Sequence, residues 1–413
     1  SLYDKASLVQ IPSGTKSGTL YSVLPANGNG DFTFGRASSA TRVNKDGLIE
    51  SVASGVPRLD YPLLDGVVQS CPALLLESSR TNYVPRSEDI NTGWSKGNVS
   101  ITNNDTISPD GSQNAAKITE DTNTTQHVVY DTLTGSVSPS TTCYFSCFIK
   151  KGTRRYIQLR EGFSNTQANI DTNTFTLADS NNLTDYEIEN YGNGWYKISF
   201  KFTSNSSGDI QFACYLLNDS QNTSYTGDGT SYVYLWGAMI EQGSYATSYI
   251  PTSGSTVTRL TEVSNAAGTV SDFNSVQGVL FADLETVKTS GSRVSLSQAA
   301  DPFAERVSID FNTATNIRFF VEASDDNNTF NVAVDTVLKR FKIAVKWNGV
   351  NISVFIDGFE AATDTFTGFT ADTLDRLQMT AANGIGSIFE GDIYQLMTFN
   401  EALTDSELEQ ITS

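Results

Sequence analysis

"CYFSCFIK", Cys143–Lys150, alternates two sets of side chains. Cys143, Phe145, Cys147 and Ile149 are apolar. Tyr144, Ser146, Phe148 and Lys150 mix aromatic and polar groups. Side chains in a strand point to opposite faces in turn, so this pattern predicts a strand with one core face. The same split recurs nearby. In "RRYIQLR" (154–160), Ile157 and Leu159 oppose Arg154, Tyr156, Gln158 and Arg160. In "WYKISFKF" (195–202), Tyr196, Ile198, Phe200 and Phe202 oppose Trp195, Lys197, Ser199 and Lys201. In "IQFACYLL" (210–217), Ile210, Phe212, Cys214 and Leu216 oppose Gln211, Ala213, Tyr215 and Leu217.

Outward from this core, short aromatic and β-branched runs continue between Asn, Gly, Asp and Ser clusters, and helical periodicity is nearly absent. The exception is "TDSELEQIT", where Thr404 caps a short terminal helix with Glu407 at the third position. The predicted fold class is all-β, with two antiparallel β-sandwiches behind an irregular amino-terminal segment. Three parts are expected: residues 1–84, broken by Pro12, Pro25, Pro57, Pro62 and Pro72; a strand-dense module over 85–251; and a linker plus second sandwich over 252–413. The linker belongs to "WGAMIEQGSYATSYIPTSGSTVTR" (236–259), which carries no charge between Glu241 and Arg259. Its ending echoes "SSATR" at 38–42, so both strips are expected to lie on module surfaces, with Arg42 and Arg259 holding carbonyls or carboxylates.

The chain of 413 residues has 46 acidic against 27 basic side chains, a formal charge of −19, which disfavours nucleic acid. No apolar run is long enough to span a membrane as a helix, so no membrane insertion is expected. Cys143 and Cys147 in one strand would lie about 13 Å apart, beyond the roughly 7 Å a disulfide allows. With Cys214 they read as core residues of a protein folded in a reducing cytoplasm. The one histidine, His127, reads as a strand residue. No phosphate loop, nucleophile elbow or metal-ligand cluster is present, and a non-catalytic chain is expected.

"FTFGRASSATRVNKDGLIE" (32–50), "PRLDY" (57–61) and "CPALLLESSRTN" (71–82) resemble the amino-terminal part of bacteriophage tail and virion structural proteins. "SEDINTGWSKGN" (87–98), "SPDGSQNAAKI" (108–118) and "GNGWYKISFKF" (192–202) resemble the jelly-roll module of that group, similar to carbohydrate-binding modules. "FKIAVKWNGVNISVFIDG" (341–358) and "GDIYQLMTFNEALTDSELEQI" (391–411) resemble a concanavalin-A-like or laminin-G-like sandwich. The resemblance implies a virion protein made in a bacterial cytoplasm. It implies host-surface polysaccharide and other virion proteins as partners, further copies of this chain among them. It also implies structural calcium in the jelly roll, with Glu241, Glu88 (or Asp89) and Asp110 as ligands by position.

The aromatic-polar faces suit sugars, whose C–H patches lie on rings while their hydroxyls need polar partners. Trp195, Tyr156, Gln158, Arg160 and Tyr215 are therefore the expected glycan contacts, with Trp94 either at the rim or plugging the first strand. The leading expectation is a glycan-binding adhesin. A spacer without glycan affinity remains open, as does a depolymerase using acids such as Glu187 and Glu189. In the last module Trp347 is expected in the core, and Asp325 and Asp326 in a loop facing a cation or solvent.

Overall fold

In a computed structural model, which describes residues 1–323, 326, 328–384 and 386–413, the strand Thr142–Lys150 lies at the centre of a six-stranded sheet. The antiparallel order there is 99–106, 115–120, 232–242, 142–150, 195–203, 186–190. The facing sheet runs 95–97, 124–133, 210–217, 156–161, 166–171, 176–181, with 224–226 also paired to 124–133. Between them lie Cys143, Phe145, Cys147, Ile149, Ile157, Leu159, Ile198, Phe200, Phe202, Ile210, Phe212, Cys214 and Leu216. The apolar half of each alternating run thus meets its counterpart from the other sheet, as the period-two pattern requires.

The second sandwich pairs the order 359–365, 351–356, 340–348, 277–286, 391–399, 73–76, 58–60 with a five-stranded sheet of 329–333, 316–323, 305–313, 292–297 and 376–378. Trp347 is buried in its core and donates from Nε1 to the Ser275 carbonyl at 3.0 Å. Val350 is half exposed at the turn of the 340–356 hairpin, because Asn348 and Asn351 already pair. Thr404 and Glu407 form the expected capping box of the helix Asp405–Thr412. Asp326 accepts from the Thr367 amide; Asp325 lies outside the described residues. Among the described residues no helix is long and apolar enough to cross a membrane.

The amino-terminal segment is not an appendage. Ala6–Gln10, Arg58–Asp60 and Ala73–Leu76 are strands of the carboxy-terminal sheet, and Leu8, Leu74 and Leu76 sit in its core. Phe32–Gly35 pairs with Val263–Asn265.

The neutral ribbon after Glu241 runs through the seam of this assembly. Tyr249 and Ile250 are buried against Trp195, Trp236 and Phe148. The Tyr245 hydroxyl donates to Glu390 of the second sandwich. Ser248 donates its amide and hydroxyl to Glu77, at 2.8 and 2.6 Å, and its oxygen accepts from Arg58 and Arg259. Short hydroxyl side chains suit this place because they satisfy buried ions without occupying much volume. Arg259 reaches Glu77 at 2.8 Å, as the sequence suggested. Arg42 likewise meets a carboxylate, in a local, part-exposed pair with Glu50 at 2.6 Å. The arginine that the echo did not reveal is Arg58, fully buried and bonded to both Glu77 and Glu262. Arg36 completes the cluster at 2.6 Å from Glu262.

Candidate functional site

Strand register gathers four expected glycan contacts on the outer face of the sheet centred on 156–161 and 210–217. Gln158 stands between Tyr215 and Asn169. Arg160 stands between Ala213 and Gln167, with Tyr130 beyond the alanine. Tyr156 stands between Leu217 and Asp171. Tyr130, Tyr156, Arg160 and Tyr215 remain partly exposed. The Gln158 amide donates to Asn169 Oδ1 at 2.9 Å, and Asn169 donates on to Gln221 at 3.2 Å. Gln158 Oε1 and Arg160 Nε have no hydrogen-bond partner among the described residues. Both atoms lie beneath the surface, so what the face presents to a ligand is the partly exposed Tyr130, Tyr156, Arg160 and Tyr215.

Tyr156 packs under a paired arginine. The Arg155 guanidinium lies 4.6 Å from its centre, and Arg155 also bonds Asp171 at 2.8 Å. Those bonds hold the Asp171 carboxyl below its ordinary range. Tyr130 was missed. The sequence offered only the alternation in "HVVYD", which sets it in phase with Val128; the pairing of Val128 with Tyr215 is what places both on this face.

Two expected contacts are corrected. Trp195 is 1% exposed and donates to the Ile107 carbonyl at 2.9 Å. It lies on the outer face of the other sheet, which Ile49, Tyr249 and Ile250 cover, so it offers no ring to a sugar. Trp94 is buried too, edge-on to Phe212 with ring centres 4.7 Å apart and its Nε1 on the Arg86 carbonyl. Of its two readings, the plug is the one observed.

The three cation ligands do not converge. Glu241 is 1% exposed, and its two oxygens accept from the Thr247 amide and hydroxyl, each at 2.7 Å. Burial raises its carboxyl, opposed by those bonds. Glu88 and Asp110 instead meet at the Asn114 amide, at 3.1 and 3.2 Å. Asp89 accepts from Thr92 and Asn103. Among the described residues no three acidic, histidine or cysteine side chains form a metal-sized group. Glu241 is engaged by Thr247 through both oxygens, whereas Glu88 and Asp110 share the Asn114 amide.

A cleft of about 1210 Å³ opens where the three segments meet. Tyr61, Tyr191 and Tyr394 wall it, and Asp60, Glu285 and Asp392 line it from the carboxy-terminal sheet. Glu187 and Glu189 enter from the edge strand Tyr186–Asn190; Glu189 is paired to Lys197 at 3.2 Å. Both sit on one wall, two residues apart, and therefore do not face each other. Burial raises Asp60 to about 6, with Glu77 adding and the Val43 amide, Arg58 and Arg42 opposing. Burial also raises Asp392 well above its usual range, reinforced by Asp60, Glu285 and Glu77. Glu285 is raised by burial against Arg340, and Glu187 by burial and Glu189.

These shifts set the pH dependence of folding. A carboxyl raised in the folded state stabilises fully below its ordinary value, and that contribution is lost as pH rises through the folded value. Glu77 has the opposite sign. Burial alone would raise it, but Arg259, Arg58 and Ser248 hold it far below the ordinary 4.5. Its contribution is present above that value and is lost as pH falls. The protein should therefore melt higher at about pH 5 than at about pH 7.5, and lower again below about pH 4. Calorimetry across this range checks it; a melting temperature that climbs steadily from 5 to 7.5 contradicts the assignment.

No family model matches the chain, and no curated protein matches it. Among solved structures it is similar to the CBM40 of the Ruminococcus gnavus IT-sialidase bound to α2,3-sialyllactose, at 15% identity over 36% of this chain and 93% of that one, with a TM-score of 0.31. It is also similar to domain 4 of an extracellular GH43 arabinanase from Geobacillus stearothermophilus in complex with arabinotriose, at 14% identity over 42% and 84%, TM-score 0.29. A third is the LG4-5 pair of the mouse laminin α1 chain, at 11% identity over 69% and 90%, TM-score 0.25.

Proposed function

We propose that this chain is a non-catalytic glycan-binding protein that holds a surface polysaccharide on the face bearing Tyr130, Tyr156, Gln158, Arg160 and Tyr215. The observation that carries the reading is the register: it sets the partly exposed Tyr130, Tyr156 and Tyr215 around Arg160, also partly exposed, on one outer sheet face with Gln158 beneath them. A pyranose offers a C–H face to the rings and hydroxyls to the polar groups between them. The sequence marks of phage tail and virion proteins support host attachment as the setting, with other virion proteins as neighbours. In that setting many weak copies act together.

Tyr215→Ala should weaken glycan binding about tenfold, close to 1.4 kcal/mol, and cost the fold only about 1 kcal/mol because the ring is partly exposed. A glycan array followed by calorimetry on the best ligand checks this. Unchanged affinity in both Tyr215→Ala and Gln158→Ala would move the site elsewhere. Release of reducing ends from the bound polysaccharide would replace binding with hydrolysis.

A further inference from the structure

The junction cleft is built differently from the jelly-roll face. Its lining holds seven carboxylates and one guanidinium, Arg340, which Asp283 already engages through two bonds of 2.7 Å. Lys197 behind the opposite wall is taken by Glu189. Only partly offset is a group from three strands: Arg340 and Tyr394 act on Glu285, Arg58 on Asp392, and the Val43 amide donates to Asp60 at 2.7 Å. Glu285 and Asp392 are direct cross-strand partners, and Asp60 stands on the same side of the sheet near Asp392. Arg58 and Arg42 act on Asp60, yet Arg58 is committed to Glu77 and Glu262, and Arg42 to Glu50. Tyr394 and Arg340 flank Glu285, and Tyr191 faces Asp60 from the jelly-roll edge. Asp392 Oδ1 is buried and has no hydrogen-bond partner among the described residues.

An unpartnered carboxylate oxygen asks for a donor, and repelling carboxylates ask for a positive one. A bare metal ion does not suit the spacing, since no three such groups here form a metal-sized set among the described residues. An ammonium group does suit it: three donors on one centre can serve carboxylates too far apart to share a metal. The tyrosine walls add ring faces that attract both cations and sugar C–H surfaces. The volume, about 1210 Å³, exceeds what one ring fills. We propose that this cleft binds an oligosaccharide carrying free amino groups, its ammonium groups meeting Asp60, Glu285 and Asp392 and its rings lying along Tyr61, Tyr191 and Tyr394. The site is separate from the jelly-roll face and does not depend on it.

The test is calorimetric titration of the full chain with a glucosamine hexamer, its fully N-acetylated counterpart, spermidine and a lysine hexapeptide. The glucosamine hexamer should bind, and the acetylated one should bind more than about tenfold more weakly, because acetylation removes the charge. Asp392→Asn and Glu285→Gln should each weaken the glucosamine hexamer by a similar factor. Asp392→Asn should at the same time raise the melting temperature at neutral pH, because it removes a repelled carboxyl, so a loss of binding is not a loss of fold. Tyr215→Ala should leave this titration unchanged, which separates the cleft from the jelly-roll face. Equal binding of the two hexamers, unaltered binding in both carboxylate variants, or binding of spermidine or the peptide in preference to the glucosamine hexamer would each overturn the proposal.

Discussion

Arg58→Ala should cost about 3–5 kcal/mol of folding free energy, more than any surface change in this chain. The guanidinium is 0% exposed and saturated. Nε meets Glu262 at 2.9 Å, Nη2 meets Glu77 at 2.8 Å and also Glu262, and Nη1 meets the Thr41 carbonyl at 2.9 Å and Ser248 at 2.8 Å. Its removal leaves two buried carboxylates short of positive charge. Glu262 keeps Arg36, and Glu77 keeps Arg259, which sets an upper limit to the damage. Those ions come from the amino-terminal segment, the connecting ribbon and the stretch just beyond it, so the loss should loosen all three together. Arg58→Lys should recover only part of it, because an ammonium cannot reproduce the fork that spans Glu77 and Glu262. Urea unfolding of the three proteins checks the series. A cost for Arg58→Ala below about 1 kcal/mol would mean the cluster is wet and loosely coupled.

The contrast between Arg58 and Tyr215 shows what can be read along the chain. Alternation of period two assigns a side chain to one of two faces, and it did so correctly for the four central strands of the jelly roll, down to the cysteines. The terminal helix was legible for a similar reason: a capping box is a local event across four residues. Neither signal says what lies over an outer face. That depends on pairings such as Arg58–Asp60 with Ala73–Leu76, and then with Gly391–Phe399, which bring distant stretches to one sheet. The amino-terminal segment looked irregular because its strands are short, and they complete a sheet whose other members lie beyond residue 270. The cleft was invisible on the same ground, since its carboxylates come from strands at 58–60, 277–286, 391–399 and 186–190. Glu241 was read as a cation ligand, but a carboxylate after "WGAMI" is equally suited to cap a turn. Thr247, six residues on, takes both oxygens of Glu241.

Trp195→Ala should lower stability by about 3–5 kcal/mol, the range for emptying a buried aromatic site. The reason is the cover, not the residue. Trp195 is paired with Lys150 in the six-stranded sheet and packs into a cluster with Phe148, Trp236, Ile49, Tyr249 and Ile250. Two of those partners belong to the ribbon and one to the amino-terminal segment, so the cavity would open at the seam between segments. Nε1 also satisfies the Ile107 carbonyl at 2.9 Å, and truncation strands that acceptor. Trp195→Phe separates the two contributions: it keeps most of the apolar volume, loses the bond, and should cost about 1–2 kcal/mol. Tyr215→Ala, on the partly exposed face of the opposite sheet, should stay near 1 kcal/mol while glycan affinity falls. The pair of measurements therefore distinguishes the two outer faces of one jelly roll: one is expected to act in folding, the other in the proposed binding. If Trp195→Ala instead melts within about 1 kcal/mol of the parent and loses glycan affinity, the ring faces solvent. In that case Ile49, Tyr249 and Ile250 do not cover it in solution.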